Sequence, residues 1–132
     1  MKRTLLVFVG VVLLALGLAA CGGGEDPEVA FCAALAGLKE TSPQITALGE
    51  LATLAQIVQL GAALDNGWKD LSSAVEKMDD ATQAAFAPYN EQFEAIPAIT
   101  QETAMPVARA SLEAKNSVVT AAYDELYAGQ CQ

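Results

Sequence analysis

Apolar residues recur at alternating steps of three and four positions along the middle of the chain. The positions are Leu54, Ile57, Gly61, Leu64, Trp68, Leu71, Val75 and Met78. Such steps place side chains on one face of an α-helix, whereas a half-buried strand needs an apolar residue at every second position. The spacing therefore predicts one long amphipathic helix over this stretch.

The start of this helix and its middle each carry a local signal. Thr53 followed by Gln56 matches a capping box, in which each side chain bonds the backbone N–H of the other residue. Asn66-Gly67 is a turn signal when strands flank it. Because the apolar spacing continues through the pair, we predict a single helix, weakened by about 1 kcal/mol at the interior glycine.

Three further helices are predicted from residues that cap helix starts and from prolines and a glycine that end helices. Asp26 and Pro27 begin the first of them, which buries Phe31, Cys32, Leu35 and Leu38 and ends at Thr41-Ser42-Pro43. Asp79 and Asp80 with Gln83 cap the next, and Pro88 predicts a bend at Ala87 to Tyr89 before Pro97 stops it. The last helix begins between Thr103 and Pro106, and Gly129 is expected to end it.

The first 21 residues differ from the rest of the chain. Lys2 and Arg3 precede the uninterrupted apolar run from Leu5 to Ala20. Its sixteen residues span only about 24 Å as a helix, which is too short for a membrane span. A short positive start followed by such a run is typical of a cleaved secretory signal peptide.

The end of the apolar run, Leu18-Ala19-Ala20-Cys21, resembles the lipobox of bacterial lipoproteins. That resemblance implies a diacylglyceryl group on the Cys21 thiol and cleavage between Ala20 and Cys21. Ordinary signal cleavage, after Ala15-Leu16-Gly17 or Gly17-Leu18-Ala19, is the alternative, but the large Leu18 at the third position before Cys21 favours the lipobox. Two acyl chains suffice for stable membrane attachment.

The layout after Cys21 is similar to that of small helical lipoproteins of actinobacteria, whose functions are mostly unassigned. The implied location is the extracytoplasmic face of the cell membrane, with the membrane as a partner through the anchor. We divide the chain into a signal peptide, 1–20, a lipidated cysteine and glycine-rich tether, 21–26, and a helical domain, 27–132. We expect that domain to be all-α, a small antiparallel bundle of about four helices with one core.

Charge excludes several classes of partner. Beyond residue 20 the chain has five basic and sixteen acidic side chains, a net charge of −11. Nucleic acids and anionic lipid headgroups are bound through clusters of Lys and Arg, so neither is expected as a partner. The sequence has no histidine, which removes the commonest general base and transition-metal ligand.

The two remaining cysteines, Cys32 and Cys131, are predicted to form a disulfide. An exported chain that commits Cys21 to lipid leaves one possible pairing. A redox or metal role is the rival, but the two residues lack CxxC spacing and histidine neighbours.

Ligand-binding residues are sought first among the aromatic side chains. Trp68 falls on the apolar face of the long helix, where core packing is the simpler interpretation and a ligand platform the alternative. Together with Phe86, Tyr89, Phe93 and Tyr123 it would line any cavity for an apolar small molecule. The same residues would fill a packed core, so both interpretations stay open.

Acidic residues offer no clear site. Asp65-Asn66 and Asp79-Asp80 lack the alternating ligands and distal glutamate of an EF-hand, so capping or solvation is the better interpretation. The spacing of the later glutamates favours a solvated face over an acid–base pair. These residues are Glu91, Glu94, Glu102 and Glu113.

Catalytic motifs are absent from the sequence: there is no Gly-x-Ser-x-Gly, Ser-x-x-Lys, phosphate loop or dinucleotide-binding glycine pattern. We therefore expect neither an enzyme nor a metal or cofactor. The favoured hypothesis is a binding or adaptor module that recognises an unidentified envelope protein or ligand through a groove between helices. The alternative is a carrier of an apolar small molecule or lipid in an enclosed space of about 300 Å³ or more.

Overall fold

A computed structural model describes residues 26–131, which form four α-helices. They are α1 (Pro27–Thr46), α2 (Leu54–Val75), α3 (Asp80–Ala95) and α4 (Met105–Gln130). The described residues contain no strand, so the prediction of an all-α fold is confirmed. The predicted signal peptide, Cys21 and the glycine tether lie outside the described residues.

Consecutive helices run antiparallel because short connections join them. Helices α1, α2 and α4 pack against one another, while α3 packs on α4 and more sparsely on α2. Within residues 26–131, α3 makes no contact with α1. The bundle is thus a three-helix core with α3 along one side.

The caps agree with the predicted helix starts. Thr53 Oγ1 accepts from the Gln56 N–H at 3.2 Å, and Gln56 Oε1 accepts from the Thr53 N–H at 2.9 Å, which completes the capping box. Asp26 accepts from the Glu28 N–H at 3.0 Å, and Asp79 accepts from the Thr82 N–H at 2.8 Å. Each cap satisfies a backbone donor that has no partner within its helix.

The predicted end of the first helix at Thr41-Ser42-Pro43 is wrong. Helix α1 continues through Pro43 to Thr46, and the Ala47 N–H closes its last turn on the Pro43 carbonyl at 2.9 Å. Ile45 lies in this extra turn and is buried in the core. Burial of that side chain offsets the hydrogen bond that Pro43 cannot donate.

Two other helix ends also differ from the predictions. Helix α2 ends at Val75 and not at Met78, because the Met78 N–H bonds the Val75 carbonyl in a tighter turn at 2.9 Å. Helix α4 passes Gly129 and ends at Gln130, where the Cys131 N–H bonds the Tyr127 carbonyl at 2.8 Å. Pro88, where the bend was predicted, lies inside α3, which is helical on both sides of it.

Helix α2 is continuous through Asn66-Gly67, as the apolar spacing predicts. A Cβ atom on Gly67 would lie 2.7 Å from Cδ2 and 3.2 Å from Cγ of Leu38, a core residue of α1. Glycine therefore allows α1 and α2 to approach closely at this level. The interior glycine that weakens the isolated helix improves its packing in the bundle.

The disulfide between Cys32 and Cys131 is present and links α1 to the residue after α4. The two Cα atoms lie 5.7 Å apart, although the residues are 99 positions apart in the sequence. In the chain-entropy model, closing a loop of this length contributes up to about 4 to 5 kcal/mol to the free energy of unfolding.

Two glycine substitutions test the close approach of α1 and α2. Gly37 lies inside α1, and a Cβ atom added there would meet no neighbouring atom within 4 Å. Gly37→Ala should therefore raise the free energy of unfolding by about 0.5 to 1 kcal/mol. Gly67→Ala gains the same helix propensity but overpacks Leu38, and we expect it to lower that free energy by about 1 kcal/mol. Urea denaturation measures both. Equal stabilisation by the two substitutions would contradict a packing role for Gly67.

Candidate functional site

Three of the five predicted ligand-facing aromatics form one cluster in the core. The Trp68 and Phe93 rings are stacked, with centroids 4.4 Å apart and planes 9° apart. The Trp68 and Phe86 centroids lie 5.2 Å apart. Because Trp68 is only 3 % exposed and both phenylalanines are buried, these rings fill the space between α2 and α3 rather than line an open cavity.

The polar edge of Trp68 also has a partner within this cluster. Its indole Nε1–H donates to Asn90 Oδ1 at 2.9 Å, which joins α2 to α3. Asn90 was not singled out from the sequence. Its position four residues after Phe86, on the same side of α3, is the one signal that could have identified it.

Tyr89 and Tyr123 lie apart from the cluster. The Tyr89 hydroxyl donates to a carboxylate oxygen of Glu125 and so links α3 to α4. Tyr123 stacks on Tyr127 with centroids 4.8 Å apart, and the Lys39 ammonium lies 5.0 Å from the centre of its ring. The five aromatics therefore do not surround one common space.

A buried lysine, Lys115, lies beside the aromatic cluster. In the sequence it counts only as one of the basic side chains. Lys115 of α4 is 3 % exposed, pairs with the Asp65 carboxylate of α2, and lies 4.7 Å from the centre of the Phe93 ring of α3. Asp65 is therefore an ion-pair partner and not a helix cap, while its side chain, 42 % exposed, stays partly solvated. Lys115 follows Leu112 by three positions on the apolar face of α4, which is the signal that could have identified it.

Arg109 holds the connection between α1 and α2. Its guanidinium donates to the carbonyls of Gly49, Glu50 and Ala52 at 3.1, 2.9 and 3.4 Å. Leu51, within this clamped connection, is 96 % exposed. The clamp adds to the turn hydrogen bond within this segment, from the Ala52 N–H to the Gly49 carbonyl at 3.1 Å.

Most of the basic side chains thus contact other groups of the same molecule. Lys115 pairs with Asp65, Arg109 binds carbonyls, and Lys39 lies over Tyr123. Lys69 and Lys77 are exposed. The acidic side chains are mostly exposed, so the surface is strongly negative, as the composition indicates.

Within residues 26–131, three grooves of comparable size lie on the surface between helices. Two lie between α1 and α2: one of about 330 Å³ contains Thr41 and three glutamines, and one of about 410 Å³ is lined mainly by alanines. The third, of about 360 Å³, lies between α2 and α3, and we call it the acidic groove. Its lining residues are Ser72, Val75, Glu76, Gln83, Phe86, Ala87, Asn90, Glu91 and Glu94.

The glutamates predicted to form one solvated face are all exposed but lie on different elements. Glu91 and Glu94 line the acidic groove, Glu102 lies in the connection before α4, and Glu113 is on α4. Among residues 26–131 no three acidic or cysteine side chains are grouped so as to hold a metal ion. No helix in the same range has the length and apolar character needed to cross a membrane.

Comparison of the chain with protein-family models, curated proteins and solved structures gives no significant match.

The contact between Tyr89 and Glu125 can be tested by titration. The hydrogen bond to Glu125, with smaller contributions from burial and from the Glu125 charge, raises the pKa of Tyr89 above 10.0. The stability that this contact contributes is present below pH 10.0 and is lost as the pH rises through the raised pKa. We expect Glu125→Gln to lower the pKa of Tyr89.

Ultraviolet absorbance at alkaline pH measures this change, and subtraction of the Tyr89→Phe titration isolates the Tyr89 signal. Glu113→Gln is the control, because Glu113 lies on the same helix but the Tyr89 hydroxyl bonds Glu125. An unchanged pKa of Tyr89 in Glu125→Gln would show that the contact does not exist in solution.

Proposed function

We propose that the mature protein is a lipid-anchored, non-enzymatic binding or adaptor module on the extracytoplasmic face of the cell membrane. The anchoring part rests on the sequence Leu18-Ala19-Ala20-Cys21 at the end of an apolar run, which lies outside the described residues. The disulfide between Cys32 and Cys131 supports an oxidising compartment, because such bonds persist mainly in exported proteins.

One observation supports an adaptor over a carrier of an apolar small molecule. Trp68, Phe86 and Phe93 pack against one another, so the aromatic residues that would line a carrier's cavity fill it instead. The grooves between helices open to solvent and have mixed polar and apolar linings. Recognition at such grooves suits a protein or another extended partner.

The direction of the helices indicates which end of the bundle would be nearest the membrane. Helix α1 begins at Pro27, and the same end carries the connection 76–79 and the end of α4. Cys21 and Pro27 are six positions apart, a stretch that reaches at most about 20 Å. The anchor would hold this end near the bilayer and leave the grooves along the helices accessible.

The membrane-proximal end is itself acidic. Glu76, Asp79 and Asp80 lie in and next to the connection between α2 and α3, and all three are exposed. Anionic headgroups would repel these carboxylates, so attachment depends on the acyl chains rather than on the protein surface.

Lipidation predicts a defined mature terminus. Protein extracted from membranes of the native host should begin at Cys21 and carry acyl mass there, and Cys21→Ser should remain unprocessed or leave the membrane. Intact mass spectrometry measures the terminus and the modification. Cys32→Ser, which removes the disulfide but not the anchor, should keep the acyl mass. An unmodified Cys21, or cleavage after Gly17 or Ala19, would contradict the anchor.

The adaptor hypothesis predicts a protein neighbour. Crosslinking on intact cells, followed by mass spectrometry of captured proteins and extracted lipids, should recover a protein crosslinked to residues along the helices. Cys21→Ser protein that has left the membrane is the control, because loss of the anchor should reduce capture of a membrane-bound neighbour. Recovery of a bound lipid or metabolite with no protein neighbour would contradict the adaptor and favour the carrier.

A further inference from the structure

We propose that the acidic groove between α2 and α3 binds a basic segment of a partner protein, a helix that carries Lys or Arg side chains and an apolar side chain. This inference rests on the proposed adaptor function and names the surface and the chemistry of the partner. Three properties of the groove support it: its apolar floor, its charge and its preformed shape.

The floor of the groove is apolar. Val75 of α2 and Phe86 of α3 lie at its base, each at most 5 % exposed, and the small side chain of Ala87 leaves space beside them. An apolar side chain of a partner would contact these residues and displace water from the floor. A small cation without an apolar part would leave the floor uncovered.

The rim of the groove is negative. Glu76 stands on the α2 side, Glu91 and Glu94 stand on the α3 side, and the lining contains no basic residue. Glu91 and Glu94 are three positions apart on one helix and therefore lie on the same face. Two cations one turn apart on a partner helix would match this pair.

The other two grooves lack this charge pattern. The glutamine-containing groove has no charged side chain in its lining, and the alanine-lined groove has one of each sign, Asp70 and Lys77. Lys115 and Arg109 are engaged with Asp65 and with backbone carbonyls, and the exposed Lys69 and Lys77 do not line the acidic groove. Charge complementarity therefore favours a basic partner at this groove.

Hydrogen bonds hold the groove in shape without a ligand. At one end Gln83 Nε2 donates to the carbonyls of Met78 and Glu76 at 2.9 and 3.3 Å. Further along, the Trp68 indole donates to Asn90 at 2.9 Å. A preformed groove avoids the entropy cost of ordering its walls when a partner binds.

The test uses the mature full-length protein in nonionic detergent and a synthetic helical peptide of lysine and alanine with one central leucine. The peptide is made as long as α3, 16 residues. Fluorescence anisotropy measures its dissociation constant. We expect Glu91→Gln combined with Glu94→Gln to weaken binding about threefold to tenfold, and we expect added salt to reduce this difference.

The matched control removes the same charge from the other side of the bundle. Glu40 lies on α1, which makes no contact with α3 in the described chain, and Glu113 lines a small pocket beside Ile45 and Leu48. Glu40→Gln combined with Glu113→Gln should leave the affinity within about twofold, because these distant exposed charges are screened. Equal losses in both double variants would indicate attraction to net charge alone and would overturn the proposal.

A third variant tests the apolar floor separately from the charge. Ala87→Trp occupies the space beside Phe86 at an exposed helix position, so the bundle should fold and peptide binding should fall about tenfold or more. Unchanged binding in Ala87→Trp, or equal competition by spermine at the same total charge, would also overturn the proposal. If the peptide-binding tests fail while Cys21 carries acyl mass, the proposed binding at the acidic groove is rejected and the proposed anchor is not.

Discussion

The ammonium group of Lys115 lies where three helices meet. It belongs to α4, pairs with Asp65 of α2 and faces the Phe93 ring of α3. Removing such a charge from water costs several kcal/mol, so the bundle tolerates it only while the anion and the ring stay in place. Because Phe93 also stacks on Trp68, the position of α3 beside the core depends on this one group of side chains. The shape of the acidic groove follows from that position.

Helices α1 and α4 are tied at both ends by different means. The disulfide joins Cys32 to Cys131 at the end where the chain enters the domain. At the other end, Arg109 of α4 binds three carbonyls of the connection that follows α1. The pair of α1 and α4 is thus held by a covalent bond at one end and by charge-assisted hydrogen bonds at the other. Helix α2 packs against both helices of this pair.

Local sequence patterns predicted the elements better than their ends. The spacing from Leu54 onwards predicted α2 through Gly67, and the capping box at Thr53 predicted its start. The helix ends predicted at Pro43 and Gly129 are wrong because the tendency of proline and glycine to end helices is a property of isolated helices. In the bundle, burial of Ile45 and the hydrogen bond of Cys131 extend α1 and α4 past these residues. The pair of Lys115 and Asp65 could not be predicted, since it joins helices whose contact the sequence does not specify. The acidic groove could not be predicted either, because it combines residues of two helices whose contact the sequence does not specify.

The disulfide closes a covalent ring that contains every connection between the helices. A protease that cuts the exposed segment around Leu51 would break the chain between α1 and α2. The two pieces would nevertheless stay joined through Cys32 and Cys131. With the proposed anchor ahead of Cys32, a nicked molecule keeps its C-terminal helices at the cell surface until the bond is reduced. Release of the proposed anchored form would therefore require a reductant or a cut between the anchor and Cys32, and a cut in the connections between the helices would not be enough.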